Sequence, residues 1–181
     1  MPEPQGSSAL GSSISLDLPT ADATRDLGRA LGRLLRAGDL VVLTGDLGAG
    51  KTTLTQGLGE ALGVRGHVTS PTFVIARVHP SLVDGPPLVH VDAYRLGGAI
   101  ELDDLDLDAS VEESVTVVEW GHGVAHLLAP DHLELVLRTT APTADESGEA
   151  DEAPRTATLT AAGRRWATPQ ARAALDALRI A

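Results

Sequence analysis

The most informative segment of this sequence is Gly45-Asp46-Leu47-Gly48-Ala49-Gly50-Lys51-Thr52, which matches the pattern G-x-x-x-x-G-K-[ST]. The apolar residues 40–43 precede it, as in a buried parallel strand, and a helical pattern runs from 51 to 62. In such a strand–loop–helix unit, glycines let backbone N–H groups surround phosphate oxygens, and the helix N-terminus favours negative charge. We therefore predict a nucleotide-binding loop. Its expected contacts are Gly45, Asp46, Leu47, Gly48, Ala49, Gly50, Lys51, Thr52 and Thr53.

Three side chains of this loop have individual expected roles. Lys51 supplies a positive charge to the β- and γ-phosphates, the Thr52 hydroxyl binds Mg²⁺, and Thr53 is placed to hydrogen-bond the α-phosphate. Lys51 is also the one lysine among 14 basic residues, the others being arginine. An incidental exposed lysine is therefore a poor explanation of the match.

Two carboxylates are expected near the phosphates. Asp92 follows the apolar run 88–91, and Glu119 follows the run 115–118. Ligands of parallel sheets bind beyond the carboxyl ends of the strands, so both acids are predicted to face the nucleotide. Either one is suited to orient a Mg²⁺-bound water or to polarise the attacking water.

Composition excludes several other classes of protein. The chain of 181 residues has no cysteine, which rules out a disulfide scaffold, a thiol nucleophile and a Cys-ligated metal. Its formal net charge of -11 argues against a protein that grips nucleic acid by itself. The sequence has no apolar run of membrane-spanning length, and we expect a cytoplasmic protein without a membrane partner.

The identity of the nucleotide is narrowed by missing residues. The sequence contains no asparagine and no second lysine, so it lacks the N-K-x-D motif of guanine recognition and the catalytic-loop asparagine of protein kinases. ATP is therefore the expected nucleotide.

The element pattern predicts one α/β domain over residues 13–181, a three-layer P-loop NTPase-like fold with a mixed, mainly parallel sheet. Residues 1–12 are predicted to be a flexible tail and 141–154 an acidic loop insertion. Strands are expected at 14–18, 40–43, 72–78, 88–94, 115–118, 133–138 and 155–159. Helices are expected from a Thr20 cap to Gly38, from 51 to 62, where Gly57 and Gly59 indicate close helix packing, and from 168 to 180.

Four motifs together resemble one known family. G-D-L-G-A-G-K-T-T (45–53), T-S-P-T-F (69–73), H-V-D-A-Y-R-L (90–96) and V-V-E-W (117–120) occur in this order. The sequence is similar in this respect to the bacterial TsaE family, also called YjeE, the small ATPase of tRNA threonylcarbamoyladenosine synthesis. The resemblance covers about residues 14–130.

The resemblance implies roles for individual residues. Lys51 and the loop bind ATP, Thr52 and Glu119 hold Mg²⁺, and Asp92 is a required acid near the phosphates. The segment 70–72 corresponds to a mobile, switch-like part of the family. The family also implies two partner proteins of the actin-fold class, which perform the transfer, so that tRNA is contacted only indirectly.

Two other functions stay open at this stage. A small-metabolite or nucleoside kinase would share the loop but needs an arginine-bearing lid, for which Arg164 and Arg165 are the one hint. In a nucleotide-gated adaptor, ATP binding would organise residues 69–73 to dock a partner, and hydrolysis would be incidental. An ATPase also needs an arginine finger. The sequence shows no arginine beside the loop, so Arg95 or a residue of a partner is the expected source of that finger.

Overall fold

The computed structural model describes residues 13–71, 75–93, 111–121, 129–140 and 153–180. Within these ranges seven strands form one sheet. The strands are β1 Ser13–Leu18, β2 Leu40–Thr44, β3 Ala76–His79, β4 Leu88–Asp92, β5 Val115–Glu119, β6 His132–Thr139 and β7 Arg155–Ala162. The helices are α1 Ala21–Gly32, α2 Lys51–Leu62, α3 Arg164–Ala167 and α4 Pro169–Asp176, followed by a 3₁₀ helix at Ala177–Ile180.

The sheet is mixed, which confirms the predicted fold class. Its strand order is β1-β7-β6-β2-β5-β4-β3. The inner strands β6, β2, β5 and β4 are parallel, whereas β1 and β7 at one end and β3 at the other pair antiparallel. Parallel pairing is thus limited to the centre of the sheet. It brings the carboxyl ends of β2, β4 and β5 to one edge, where open α/β sheets bind ligands.

Helices α1 and α2 cover one face of the sheet and touch each other closely. A Cβ atom at Gly28 of α1 would lie 2.1 Å from the Leu54 carbonyl oxygen, and one at Gly57 of α2 would lie 2.0 Å from the Arg25 carbonyl oxygen. A methyl group at either position would overlap backbone atoms, so the predicted close packing at Gly57 is confirmed. The leucines of these helices that are fully buried are Leu31, Leu54 and Leu58.

The two faces of the sheet carry separate apolar clusters. The larger cluster joins α1, α2 and α4 to the sheet, with Val41 and Leu43 of β2 facing the helices. The smaller cluster lies on the opposite face and contains Val42 of β2 and Val118 of β5. Val111 packs against this cluster and directly follows residues 94–110, which lie outside the described ranges. The third layer predicted for this face stays a prediction.

Some predicted boundaries differ from the observed ones. The side chain of Thr20 caps α1 as expected, accepting the Ala23 N–H at 3.0 Å. The helix ends at Gly32, however, and not at Gly38. Gly38 has a φ of +89° and donates its N–H to the Ser114 carbonyl at 2.9 Å, so it forms the turn that leads into β2. The short helix α3 was not predicted.

Several predictions fall outside the described residues. They concern the tail at 1–12, the acidic loop up to residue 152, the segment 72–74, and the side chain of Arg95. The domain limits also stay a prediction. Among the helices in the described ranges, none has the length and apolar character needed to cross a membrane.

Candidate functional site

The loop between β2 and α2 has the backbone that its glycine pattern predicts. Gly45, Gly48 and Gly50 have positive φ angles of 151°, 81° and 100°. A Cβ atom at Gly45 would lie 2.4 Å from the Leu137 carbonyl oxygen, so a larger residue does not fit there. Gly50 is the N-cap of α2, and no side chain caps the helix. The first N–H groups of α2 are therefore available to an anion.

The side chain of Lys51, the first residue of α2, lies against this loop, and the residue is only 5% exposed. Its Nζ donates to the carbonyl oxygens of Gly45 at 2.6 Å and Asp46 at 2.9 Å. The same Nζ lies 4.0 Å from the centroid of the Trp120 ring. Burial lowers the pKa of Lys51, and the nearby carboxylates, Glu119 first, oppose that effect. The carbonyl groups of the loop thus bind a buried cation, and carboxylates lie near that cation.

Glu119 is fixed by contacts from two other elements. The Thr52 hydroxyl at the start of α2 donates to Glu119 Oε1 at 3.3 Å, and His90 Nε2 of β4 lies 2.8 Å from the same oxygen. A carboxylate only accepts hydrogen bonds, so this contact requires the His90 tautomer that has its hydrogen on Nε2. Both His90 and Glu119 are buried. The carboxylate therefore has one defined position beside the first turn of α2.

Asp92 and Trp120 complete this side of the site. Asp92 ends β4 and pairs in register with Glu119 of the parallel strand β5, so the two acids are neighbours on one face of the sheet. Trp120 follows Glu119 with a φ of +63°, and its N–H donates to the Leu43 carbonyl at 2.8 Å. A left-handed backbone costs a non-glycine residue about 1–2 kcal/mol. This strain occurs directly beside the buried acids.

One cavity of about 400 Å³ gathers these groups. Ser70 and Trp120 line it together with most of the predicted site residues, namely Leu47, Gly48, Gly50, Lys51, Thr52, Thr53, Asp92 and Glu119. Gly45, Asp46 and Ala49 do not line it. The first two act through their carbonyl groups on Lys51, and Ala49 is buried behind the loop.

Sequence reasoning assigned no role to two further residues at the site. His90 lies in the motif at 90–96, and its contact with Glu119 depends on the pairing of β4 with β5. Arg155, the first residue of β7, also lines the cavity although it is distant in sequence from every motif. The one signal for Arg155 in the sequence was that the strand pattern at 155–159 begins with this residue.

Arg164 and Arg165, the one hint of a lid in the sequence, do not line the cavity. Arg165 donates to the Asp39 carboxylate at 3.2 Å and to the Leu34 carbonyl at 3.1 Å. Asp39 precedes β2, whereas the glycine loop follows it, so Arg165 is bound at the opposite edge of the sheet. Arg164 is exposed on α3. The one observation that favoured a metabolite kinase, a pair of arginines in a lid, therefore has no support in the structure.

Known proteins resemble this chain over most of its length. The family model described as Threonylcarbamoyl adenosine biosynthesis protein TsaE matches residues 18–147. The Streptomyces coelicolor protein named tRNA threonylcarbamoyladenosine biosynthesis protein TsaE is 64% identical over 146 residues, which cover 80% of this chain and 94% of that protein. The Bacillus subtilis protein of the same name is 35% identical over 147 residues, which cover 80% and 84%, respectively.

A solved structure has the same fold. The crystal structure of Bacillus subtilis YdiB matches with a TM-score of 0.67 and 27% sequence identity, and the match covers 93% of this chain and 95% of that one. The glycine loop, the mixed sheet and the sequence matches agree on a single conclusion. This chain has a P-loop NTPase-like fold and belongs to the TsaE family of tRNA threonylcarbamoyladenosine biosynthesis proteins.

Proposed function

We propose that this chain is a Mg²⁺-dependent ATPase that serves the synthesis of threonylcarbamoyladenosine in tRNA. The observation that carries the proposal is the convergence of Lys51, Thr52, Asp92 and Glu119 on one cavity. A cation, a hydroxyl and two carboxylates around a glycine loop form the set of groups that hydrolysis of a nucleoside triphosphate requires. Membership of the TsaE family supports the link to tRNA modification.

The residues present fit both the nucleotide and the metal. Residues of the loop line the cavity, and the Lys51 amine is placed to exchange the Gly45 and Asp46 carbonyls for phosphate oxygens. Thr52 Oγ1 and Glu119 Oε1 are 3.3 Å apart and are oxygen donors of the kind that Mg²⁺ prefers. These two residues would hold the ion, which neutralises charge on the phosphates when bound.

The chain itself contributes mainly positioning and charge. Lys51 neutralises the terminal phosphates, and its contact with the Trp120 ring keeps the amine at the cavity wall. Asp92 lies beside Glu119 and is placed to accept a hydrogen bond from the attacking water. As water adds to the γ-phosphorus, the bond to the β–γ bridging oxygen breaks, and the proton of the water passes to a carboxylate.

Partners are part of this proposal. We infer that the chain works with two proteins of the actin-fold class that perform the transfer, and that tRNA is contacted through them. The net charge of -11 supports this division of labour. Among the described residues that line the Glu119 side of the cavity there is no arginine. Turnover is therefore expected to be low for the chain alone and higher in the complex, where Arg95 or a partner supplies the missing positive charge.

Turnover of ATP by Glu119→Gln tests the proposal. The wild-type chain should hydrolyse ATP with Mg²⁺, faster with the two partners and tRNA. Glu119→Gln should bind ATP but lose turnover by about a hundredfold or more, because the carboxylate charge is gone. The matched control is Glu112→Gln, an exposed glutamate before β5, which should behave as wild type.

Two results would contradict the proposal. Normal turnover by Glu119→Gln would remove this acid from the reaction. Full tRNA modification by a complex that contains a Glu119→Gln chain without turnover would show that hydrolysis is incidental. In that case the nucleotide-gated adaptor would be the correct description.

A further inference from the structure

The connection that follows the outermost strand β3 presents apolar side chains to solvent. Four large apolar residues are exposed in the part of the chain that the structure describes, and one of them, Leu47, lines the candidate site. The other three are close together in sequence, with Val78 on β3 and Leu82 and Val83 after it, and are 59%, 63% and 64% exposed. Single exposed apolar residues are ordinary, whereas grouped ones indicate an interaction site. We call residues 80–85 the outer loop.

Hydrogen bonds hold the outer loop in one conformation. Ser81 Oγ accepts the N–H of Val83 at 3.2 Å and that of Gly85 at 3.1 Å. The N–H of Leu82 donates to the Gly63 carbonyl at 2.9 Å, which ties the loop to the C-terminal end of α2. One side of Val83 packs on Gly63, where a Cβ atom would lie 2.5 Å from Cγ2 of the valine. A loop that is already ordered loses little conformational entropy when it binds a partner.

The outer loop lies at the opposite edge of the sheet from the candidate site. It joins β3 to β4, and Leu88, the first residue of β4, pairs with His79 at the end of β3. The cavity lies where β4 and β5 end, at Asp92 and Glu119. The 12 residues of α2 separate the loop from the cavity, a length of about 18 Å. A protein bound at the outer loop would therefore leave the cavity open to nucleotide.

The charge around the outer loop differs from that of the whole chain. Residues 63–91 contain two arginines and a single acidic residue, Asp84, although the chain has a net charge of -11. Arg65 and Arg77 are exposed, and neither forms an ion pair with a described residue. The N–H of Arg65 donates to the Pro80 carbonyl at 2.8 Å, so this arginine lies directly beside the loop. The surface therefore suits a partner that carries carboxylates.

We propose that the outer loop is the docking surface for one of the two partner proteins of the complex. Leu82 and the exposed side of Val83 enter an apolar pocket of that protein, and Arg65 meets carboxylates at the rim of the pocket. This inference rests on the proposed function, from which the partners are taken. Single-stranded nucleic acid is bound by basic grooves and by aromatic side chains that stack on bases, so two aliphatic side chains favour a protein over RNA.

Calorimetric titration of the chain into the purified partner pair tests the assignment. Leu82→Ser removes the apolar contact, Arg65→Ser removes the charge, and the matched control Arg138→Ser removes an exposed arginine from β6. Leu82→Ser should weaken the complex by about tenfold or more. Arg65→Ser should weaken it by about threefold and reduce its dependence on salt concentration, whereas Arg138→Ser should stay within about twofold of wild type.

Two measurements on each variant alone accompany the titration. Urea denaturation should give the wild-type free energy of unfolding for Leu82→Ser, because the replaced side chain is exposed. ATP turnover without partners should equal that of wild type for all three variants, because none of the replaced side chains lines the cavity. A loss of partner binding with both properties intact is the result that supports the docking surface.

Other outcomes would overturn it. Wild-type affinity of Leu82→Ser for the partner pair would show that the loop does not dock there. Loss of self-association in light scattering, or of tRNA binding, with partner binding intact would assign the surface to a second copy of the chain or to RNA. A wild-type chain that hydrolyses ATP but binds no partner would refute the docking surface and leave the ATPase standing. Normal, Leu82-dependent partner binding without ATP turnover would refute the ATPase and leave the docking surface standing.

Discussion

Glu119 is held in position by side chains from two other elements. Its Oε1 receives hydrogen bonds from Thr52 on α2 and from His90 on β4, so two elements converge on one carboxylate oxygen. His90 does not line the cavity and acts through Glu119, which makes it a positioning residue. Such outer partners orient ligands, and their loss typically weakens a metal site by about ten- to a hundredfold.

Replacing His90 by leucine should therefore impair the use of Mg²⁺ more than the binding of nucleotide. For His90→Leu we expect the Mg²⁺ concentration that gives half-maximal ATP turnover to rise about tenfold or more. ADP affinity measured without Mg²⁺ should stay close to that of wild type. His90→Gln, which retains a side-chain donor, should recover part of the loss. An unchanged Mg²⁺ requirement in a folded His90→Leu chain would contradict the positioning role.

His79 gives the folded state a dependence on pH. The ring is buried on β3, and its Nε2 has no hydrogen-bond partner among the described residues. Burial lowers the pKa of His79, and the neighbouring His90 adds to the effect. The unfolded chain therefore binds a proton near the usual pKa of about 6.5 while the folded chain does not. The free energy of unfolding must fall as the pH decreases through that range.

Urea denaturation of His79→Leu and wild type at pH 8 and pH 5.5 measures this contribution. The stability of wild type relative to His79→Leu should decrease on going to the lower pH, because only the wild type has this imidazole to protonate on unfolding. A stability difference that is the same at both pH values would contradict the account.

At the residue scale, the sequence predicted correctly that Lys51, Thr52, Asp92 and Glu119 come together, since all four line one cavity. Lys51 and Thr52 stand at fixed positions in a motif, and Glu119 and Asp92 end apolar runs, so strand geometry alone places them at the ligand edge. His90 and Arg155 could not be assigned in this way. Their positions at the site depend on which strands become neighbours, and strand order is not encoded in any local pattern.

At the scale of elements, the contact between α1 and α2 sets the position of the helix that carries Lys51 and Thr52. Gly57 of α2 lies against the backbone of α1, where a Cβ atom would be 2.0 Å from the Arg25 carbonyl oxygen. Alanine gains about 1 kcal/mol over glycine in helix propensity. Overlap with a backbone atom cannot be relieved by a side-chain rotation, so the two helices would have to separate.

Gly57→Ala should therefore destabilise the protein by about 2 kcal/mol or more, net of the gain in propensity. The matched control is Gly85→Ala, where a Cβ atom would find its nearest neighbour at 3.5 Å and the stability should change by less than about 0.5 kcal/mol. Free energies of unfolding from urea titration decide between these expectations. A Gly57→Ala chain as stable as wild type would show that the helices are not in close contact.

The elements themselves were predictable where one signal dominated. Strand β2 begins with the apolar run 40–43, β5 is apolar except for Thr116 and the final Glu119, and Thr20 caps α1 as its side chain predicts. The end of α1 was misjudged because a glycine is typical both of a helix C-terminus and of a turn. Gly38 serves the turn, and its N–H bonds to Ser114 before β5. That partner is distant in sequence and leaves no trace in the local pattern.

At the scale of the whole molecule, the strand order places the side chains that line the cavity on both sides of the loop after β2. Acids on β4 and β5 lie on one side of the loop after β2, and Arg155 on β7 lies on the other. The antiparallel strands at both ends extend a parallel centre that is four strands wide. The overall charge of -11 agrees with the proposal that partners, and not this chain, contact tRNA.

The central claim is that this loop binds ATP through Lys51. Isothermal titration of Mg²⁺–ATP into the purified wild-type chain and into Lys51→Ala tests it most directly. We predict saturable binding of one nucleotide per chain for wild type and a loss of affinity of at least about tenfold for Lys51→Ala, because a charge-assisted contact is removed. Equal binding by the two proteins, or no uptake of ATP by wild type, would contradict the account.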